Sequence, residues 1–300
     1  MYGATSPSDS EAAITPSAPP GKRGPARATI LQRTFGVIEL VFSLSGEATT
    51  ATRVYQQGAL RARFPNGTAG QPPEAVLLNL AGGLTGGDRL DIAVRLNERA
   101  QAVISTQSCE RIYRSSCSDA IVAGSIRLAQ GARLEWLPQP VILFDGARLK
   151  RETHVELSAD AHLLALESVI FGRTESGETV RSGSLLDGWF VHRNGELIQA
   201  ECLDLSGEMG ATLAKEAVLN GNRAIATLRY IAPDAEQRLD HMRAILGAPD
   251  ATAAVIAAAS AWNGMMITRF VAADGYALNC EIARVLGAFR GEPLPRVWSL

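Results

Sequence analysis

The residues of this 300-residue chain best suited to chemistry are a glycine-rich run, four cysteines, four histidines and a scatter of carboxylates. The run Leu78-Asn79-Leu80-Ala81-Gly82-Gly83-Leu84-Thr85-Gly86-Gly87-Asp88 has the glycine content of a phosphate-binding loop. No Lys-Ser/Thr pair follows it to reach terminal phosphates and Mg²⁺. A dinucleotide fingerprint fails as well, because Asp88-Arg89-Leu90-Asp91 leads into a predicted strand rather than a helix. What remains is a loop whose glycines permit tight backbone turns. Cys109, Cys117, Cys202 and Cys280 form no Cys-x-x-Cys pair, and His154, His162, His192 and His241 show no ligand spacing. These are expected to be reduced thiols and surface or structural imidazoles. Glu135 and Asp145 could serve a hydrolase as a carboxylate pair, as in glycosidases. The long groove of exposed aromatics that such an enzyme needs is not apparent, because aromatic content is only 6%.

The elements that must position these groups follow from composition and periodicity. Apolar residues make up 46% and charged residues 20%, the balance of a soluble globular protein. A net charge of −2 does not point to a nucleic-acid partner. The longest apolar candidate, Ala251 to Ala261, is too short and alanine-rich to span a bilayer. Residues 1–28 are mostly Ser, Pro, Thr, Ala and Gly, with Ile14 an isolated aliphatic, which predicts a disordered tail and no secretory signal. Lys22, Arg23 and Arg27 are too few for a nucleic-acid arm. A single large domain is expected over 29–300, with a β body at 29–231 and an α+β subregion at 232–300.

Period-two runs such as Ile92-x-Val94-x-Leu96 and Val155-x-Leu157 predict half-buried strands. Asn194-Gly195 and Asn220-Gly221 predict hairpins with type I′ turns. A weak repeat runs through the body. Leu96, a turn at Asn97-Glu98-Arg99, then Ala100 is followed by Leu128, a turn, then Ala132, and by Leu157, a turn, then Ala161. A looser fourth copy is Val191, His192-Arg193-Asn194, Gly195-Glu196-Leu197. A fixed period of about 30 residues suggests stacked units, favouring a solenoid over a closed barrel. Beyond Ile231, Pro233-Asp234 opens a predicted helix. Asp234 caps it, Gln237 reaches back, Leu239, Met242, Ile245 and Leu246 share a face, and Gly247 and Pro249 stop it. A strand is predicted over Met265 to Val271. A second helix runs from about Asp274 to Phe289 with its stripe at Leu278, Ile282, Val285, Leu286 and Phe289. The two stripes are expected to leave apolar surface for a partner. The fold class is therefore mainly β: a β-helix- or solenoid-like stack of short strands with a small C-terminal α+β part containing about two helices.

Several stretches, taken in order, resemble the urease accessory protein family UreD, also called UreH. The glycine doublets followed by Asp88 are one. Ser105-Thr106-Gln107 with Arg111-Ile112-Tyr113-Arg114-Ser115 is a second. Leu134-Glu135-Trp136-Leu137-Pro138-Gln139-Pro140 leading to Phe144-Asp145-Gly146-Ala147 is a third. Glu167-Ser168 with Phe171-Gly172-Arg173 and Gly177-Glu178 is similar to the next, and Pro295-Arg296-Val297-Trp298 to the family's terminus.

The resemblance implies a cytoplasmic, non-enzymatic chaperone of urease maturation. It implies partners UreF, the GTPase UreG and apo-urease (UreABC), with a dimeric arrangement in a UreD–UreF–UreG complex, and no membrane. It implies no tightly bound cofactor but transient Ni²⁺, moving through a water-filled passage in a β-helix-like body. Asp88, Glu135, Asp145 and Glu167 are the candidate carboxylates for that transit, with Arg148 and Arg173 as their expected salt-bridge partners. Two alternatives stay open: a β-helix carbohydrate-active hydrolase, and a pure interaction scaffold without ion contact.

Overall fold

The computed structural model describes residues 32–67, 70–173, 176–247 and 253–298. The tail expected over 1–28 and the helix stop at Pro249 lie outside them.

The chain alternates between two sheets. The first contains β1 (Phe35–Ser45), β2 (Ala48–Gly58), β5 (Arg89–Leu96), β8 (Ala120–Leu128), β11 (Arg148–Leu157), β13 (Gly183–Arg193) and β14 (Glu196–Gly207), in the spatial order β14-β13-β11-β8-β5-β1-β2. The second contains β3 (Leu60–Arg63), β4 (Glu74–Asn79), β6 (Gln101–Thr106), β9 (Arg133–Leu137), β12 (His162–Phe171), β15 (Ala224–Ile231), β16 (Val255–Trp262) and β17 (Met265–Ala272), in the order β16-β17-β15-β12-β9-β6-β4-β3. Two short strands, β7 (Glu110–Ile112) and β10 (Val141–Leu143), pair in parallel beside β12.

The middle strands of both sheets are parallel and step at a near-constant interval, as a solenoid requires. Arg89 lies beside Ile121 and Ala120 beside Leu149 in the first sheet; Gln101 lies beside Arg133 and Arg133 beside His162 in the second. The corners between sheets explain the repeated alanines. Ala100, Ala132 and Ala161 are each fully buried. They stack through backbone bonds, Arg133 N–H to Ala100 C=O at 2.9 Å and His162 N–H to Ala132 C=O at 2.8 Å. Leu96, Leu128 and Leu157 stack beside them in the core. Only a small side chain fits so close-packed a corner.

The fourth copy of the repeat is not a coil. Asn194 and Gly195 take φ of 51° and 80° and reverse the chain into β14, antiparallel to β13 in the same sheet. The solenoid ends there. Asn220-Gly221 also has positive φ, at 48° and 80°. It follows α1 (Met209–Leu213) and a run of turns, so it joins no two strands and is not a hairpin. Another Asn-Gly, Asn263-Gly264, joins β16 to β17. Much of the alanine-rich run at 251–261 is the edge strand β16.

The second sheet is covered on its outer face by α3 (Gly275–Arg290), with α2 (Leu239–Leu246) beside it. α2 starts later than its sequence suggests. The Asp234 carboxylate accepts the Tyr230 hydroxyl at 2.7 Å instead of capping a helix, and Arg238 occupies the capping position. Gly247, at φ 78°, ends it. At α3 the Asp274 carboxylate accepts the Ala277 N–H at 2.8 Å, satisfying one free donor of the first turn. The stripe Leu278, Ile282, Val285, Leu286 and Phe289 is buried in one cluster with Leu164 and Leu166 of β12. The α3 stripe thus leaves no spare apolar surface, contrary to expectation, whereas on α2 only Met242 is fully buried and Leu239, Ile245 and Leu246 are half-buried. The C-terminus closes on β9: Trp298 Nε1 donates to Leu137 C=O at 3.0 Å, and Gln139 Nε2 to Val297 C=O at 3.0 Å. Because β12 is buried on both faces, its sequence is nearly all apolar, and Glu167 interrupts the run.

Candidate functional site

Strand alternation drives three charged side chains between the sheets. On β12, Glu167 shares the inward phase of Leu163, Ala165, Val169 and Phe171. On β11, Arg151 shares that of Leu149, Val155 and Leu157; on β13, Asp187 shares that of Leu185, Trp189 and Val191. Buried charge is costly unless paired, and here the pairs are present. Arg151 donates to both Asp187 oxygens, at 2.9 and 2.5 Å. Arg229, from β15, donates through Nη2 to Glu201 at 3.0 Å and lies 4.5 Å over the Trp189 ring. Arg269 reaches the other Glu201 oxygen at 2.8 Å.

Glu167 is the least firmly held member. It accepts the Trp189 indole N–H, but Arg151 Nε stands 3.5 Å away and Arg229 Nη1 3.9 Å. Burial pushes its carboxyl up to about 7, against the pull of both guanidiniums. Nε and Nη1 of Arg229 are buried with no hydrogen-bond partner among the described residues.

Two cavities meet at this cluster. One of about 170 Å³ runs from Gly82, Gly83 and the Ser108–Arg111 segment to Arg151 and Glu167. The other, about 50 Å³, is lined by Asp187, Trp189, Glu201 and Arg229. Arg151 and Glu167 are the only residues that line both.

The glycine-rich loop shapes the outer end of the larger cavity. Leu84 N–H donates to Arg111 C=O at 2.8 Å and Tyr113 N–H to Leu84 C=O at 2.7 Å. At Gly86 a Cβ would collide with the Ser118 carbonyl and the Ser115 side chain, so glycine is required there. Beside the loop, both Glu110 oxygens accept from Asn79 Nδ2 at 3.1 Å, and burial raises the Glu110 carboxyl above its ordinary value.

The four candidate acids are not brought together. Asp88 accepts the N–H of Thr34 at 2.7 Å and of Thr85 at 2.8 Å, closing the glycine loop. Glu135 accepts Nε and Nη2 of Arg290, at 2.8 and 2.7 Å. Asp145 accepts the N–H of Arg181 at 2.8 Å and of Ser182 at 3.1 Å, with Arg114 at 2.9 Å. Burial pushes Asp145 up, but these bonds outweigh it and hold the carboxyl below its usual range. Of the four, Glu167 alone lines either cavity at the cluster. Among the described residues no three His, Cys, Asp or Glu are grouped to hold a metal. Glu135 and Asp145, the pair a hydrolase would need, line neither of these two cavities and are each engaged elsewhere.

Arg148 and Arg173 pair with none of the four. Strand register puts Arg148 next to Asp119, at 2.9 Å, and Arg173 reaches Glu178 in its own loop at 3.0 Å. Sequence reasoning missed Arg151, Asp187, Arg229, Glu201 and Glu110. For the first two a signal existed, since each sits in the apolar phase of its strand. Among the described residues no helix is long and apolar enough to cross a membrane.

The sequence pattern of the family described as "UreD urease accessory protein" matches residues 35–299. The chain is 45% identical over 270 residues to a "Urease accessory protein UreD" of Methylobacterium sp., covering 89% of this chain and 95% of that protein. It is 44% identical over 268 residues to the protein of that name from Xanthobacter autotrophicus, covering 89% and 91%. The Azorhizobium caulinodans protein of the same name is 42% identical over 269 residues, covering 90% and 97%. With its solenoid body and nearly full-length agreement to these relatives, the chain belongs to the UreD urease accessory protein family.

Proposed function

We propose that this chain is a non-catalytic maturation factor of urease. It works in the cytoplasm with UreF and the GTPase UreG, in a dimeric UreD–UreF–UreG assembly docked on apo-urease. Its cargo is Ni²⁺, which passes transiently through the space between the sheets. The observation that carries the transit reading is the meeting of two cavities at Arg151 and Glu167. Ni²⁺ accepts carboxylate oxygen, and a contact that is weak lets an ion leave as well as enter. Glu167 suits this role because its two guanidinium neighbours stand off at 3.5 and 3.9 Å. Asp88, Glu135 and Asp145 enter the proposal as acids that hold the walls, since their oxygens are taken by N–H groups and guanidiniums.

The test is Glu167→Gln in a chain co-expressed with UreF, UreG and urease. The complex should purify intact while nickel content and urease activity fall together. If activity falls only when the complex is lost, the scaffold reading is the better one. The firm pairing of the other three acids is the observation that favours that second reading.

A further inference from the structure

The larger cavity has a chemistry of its own that ion transit does not use. Its body is lined by Leu77, Leu90, Val122 and Leu149, with Trp136 along one side. Its volume of about 170 Å³ exceeds the ~150 Å³ of an engineered apolar cavity that takes up benzene. At the outer end stands Glu110. Its carboxylate receives the amide N–H of Asn79 and makes no ion pair with any described residue. The neighbouring Arg111 forms no ion pair with it, although its positive charge pulls the Glu110 carboxyl down against burial. A half-buried carboxylate that makes no ion pair among the described residues, at the mouth of a largely apolar chamber, is half of a charge-assisted hydrogen bond.

We infer that this cavity binds small organic amines: a ring-sized apolar body between the sheets, and an ammonium group on Glu110. Burial raises the Glu110 carboxyl, so an incoming ammonium restores the charged form that the empty site disfavours. A carboxylate-bearing ligand would meet Glu110 as a like charge. A plain hydrocarbon would leave Glu110 as it is. Arg151, Thr153 and Glu167 line the far end with polar groups, and the volume of about 170 Å³ limits the apolar body to about one ring. The inference holds whether or not nickel passes this way, because binding is measured directly.

The experiment is calorimetric titration of the full chain with phenethylamine, toluene and phenylacetate, together with the NMR shift of the Trp136 indole N–H. Phenethylamine should bind with Kd on the order of 100 µM, the level expected for a ligand of this size. It should shift the Trp136 signal, and phenylacetate should bind at least tenfold more weakly. Glu110→Gln should weaken phenethylamine about tenfold and leave toluene unchanged. Val122→Phe should abolish both; if that variant does not fold, the Trp136 shift in the unaltered chain still reports occupancy. Binding at additive-like millimolar concentration only, equal affinity for phenylacetate, an unmoved Trp136 signal, or equal weakening of toluene by Glu110→Gln would each overturn the inference.

Discussion

Arg290 holds Glu135 with two nitrogens, at 2.8 and 2.7 Å, across 155 positions of sequence. The pair ties the end of α3 to β9. The Arg290 side chain is 5% exposed, so removing its partner leaves a buried guanidinium without a counter-charge. Glu135→Ala should cost about 2 kcal/mol, below the range for a fully buried pair because Glu135 is itself partly exposed. Arg290→Ala should cost a similar amount. The double variant should lose clearly less than the two combined, as read from urea unfolding of all four proteins.

Glu167 gives the chain a pH-dependent stability of definite sign. Its folded carboxyl is raised from 4.5 to about 7. The native state therefore binds a proton that the unfolded chain has released. This contribution is fully present below about pH 4.5 and is lost as pH rises through about 7. The melting temperature of the native chain relative to Glu167→Gln should fall steadily between about pH 5 and pH 8. A difference that is flat across this window would mean that Glu167 is ionised throughout.

Gly86→Ala should destabilise the glycine loop. The new methyl meets the Ser118 carbonyl, which is backbone and cannot swing aside. A cost of about 2 kcal/mol is expected, within the range for overpacking. Faster hydrogen exchange at the Leu84 and Tyr113 amides, whose bonds fasten the loop, would locate the damage.

The corner alanines should tolerate no enlargement. Ala132→Leu places a branched side chain between Ala100 and Ala161, where stacking leaves no gap. A loss of about 3 kcal/mol is expected, with Ala132→Gly less harmful because it only removes a methyl. Equal melting temperatures for the leucine and native proteins would mean that the corner is looser than its backbone bonds imply.

The solenoid was legible because its repeat has a physical cause. A leucine, a short turn and a small residue recur wherever the chain crosses between sheets. The repeat misled only at Val191, where Asn194-Gly195 closes an antiparallel hairpin; that dipeptide, absent from the other corners, is the local mark that separates the two. Asp234 misled because it had a competing partner in Tyr230, which is visible only once β15 is placed beside the turn. The four acids were found as motif residues, but their partners were not. Arg290 and Glu135 are too far apart in sequence for spacing to link them, and the same holds for Asp145 with Arg181. Arg151 and Asp187 were readable in principle. Each is a charge in the apolar phase of a strand, and that mismatch marks a buried site without any knowledge of its neighbours.

The outer face of β12 depends on α3, whose last core residue is made long after the strand itself. Leu164 and Leu166 pack in one cluster with Phe289. At a ribosome's pace of about 5–20 residues per second, the interval is on the order of ten seconds. For that time the nascent second sheet stands with its apolar face open to the surroundings. The vulnerable species in the life of this protein is thus its own unfinished chain, and a chain truncated before α3 would keep that exposure permanently.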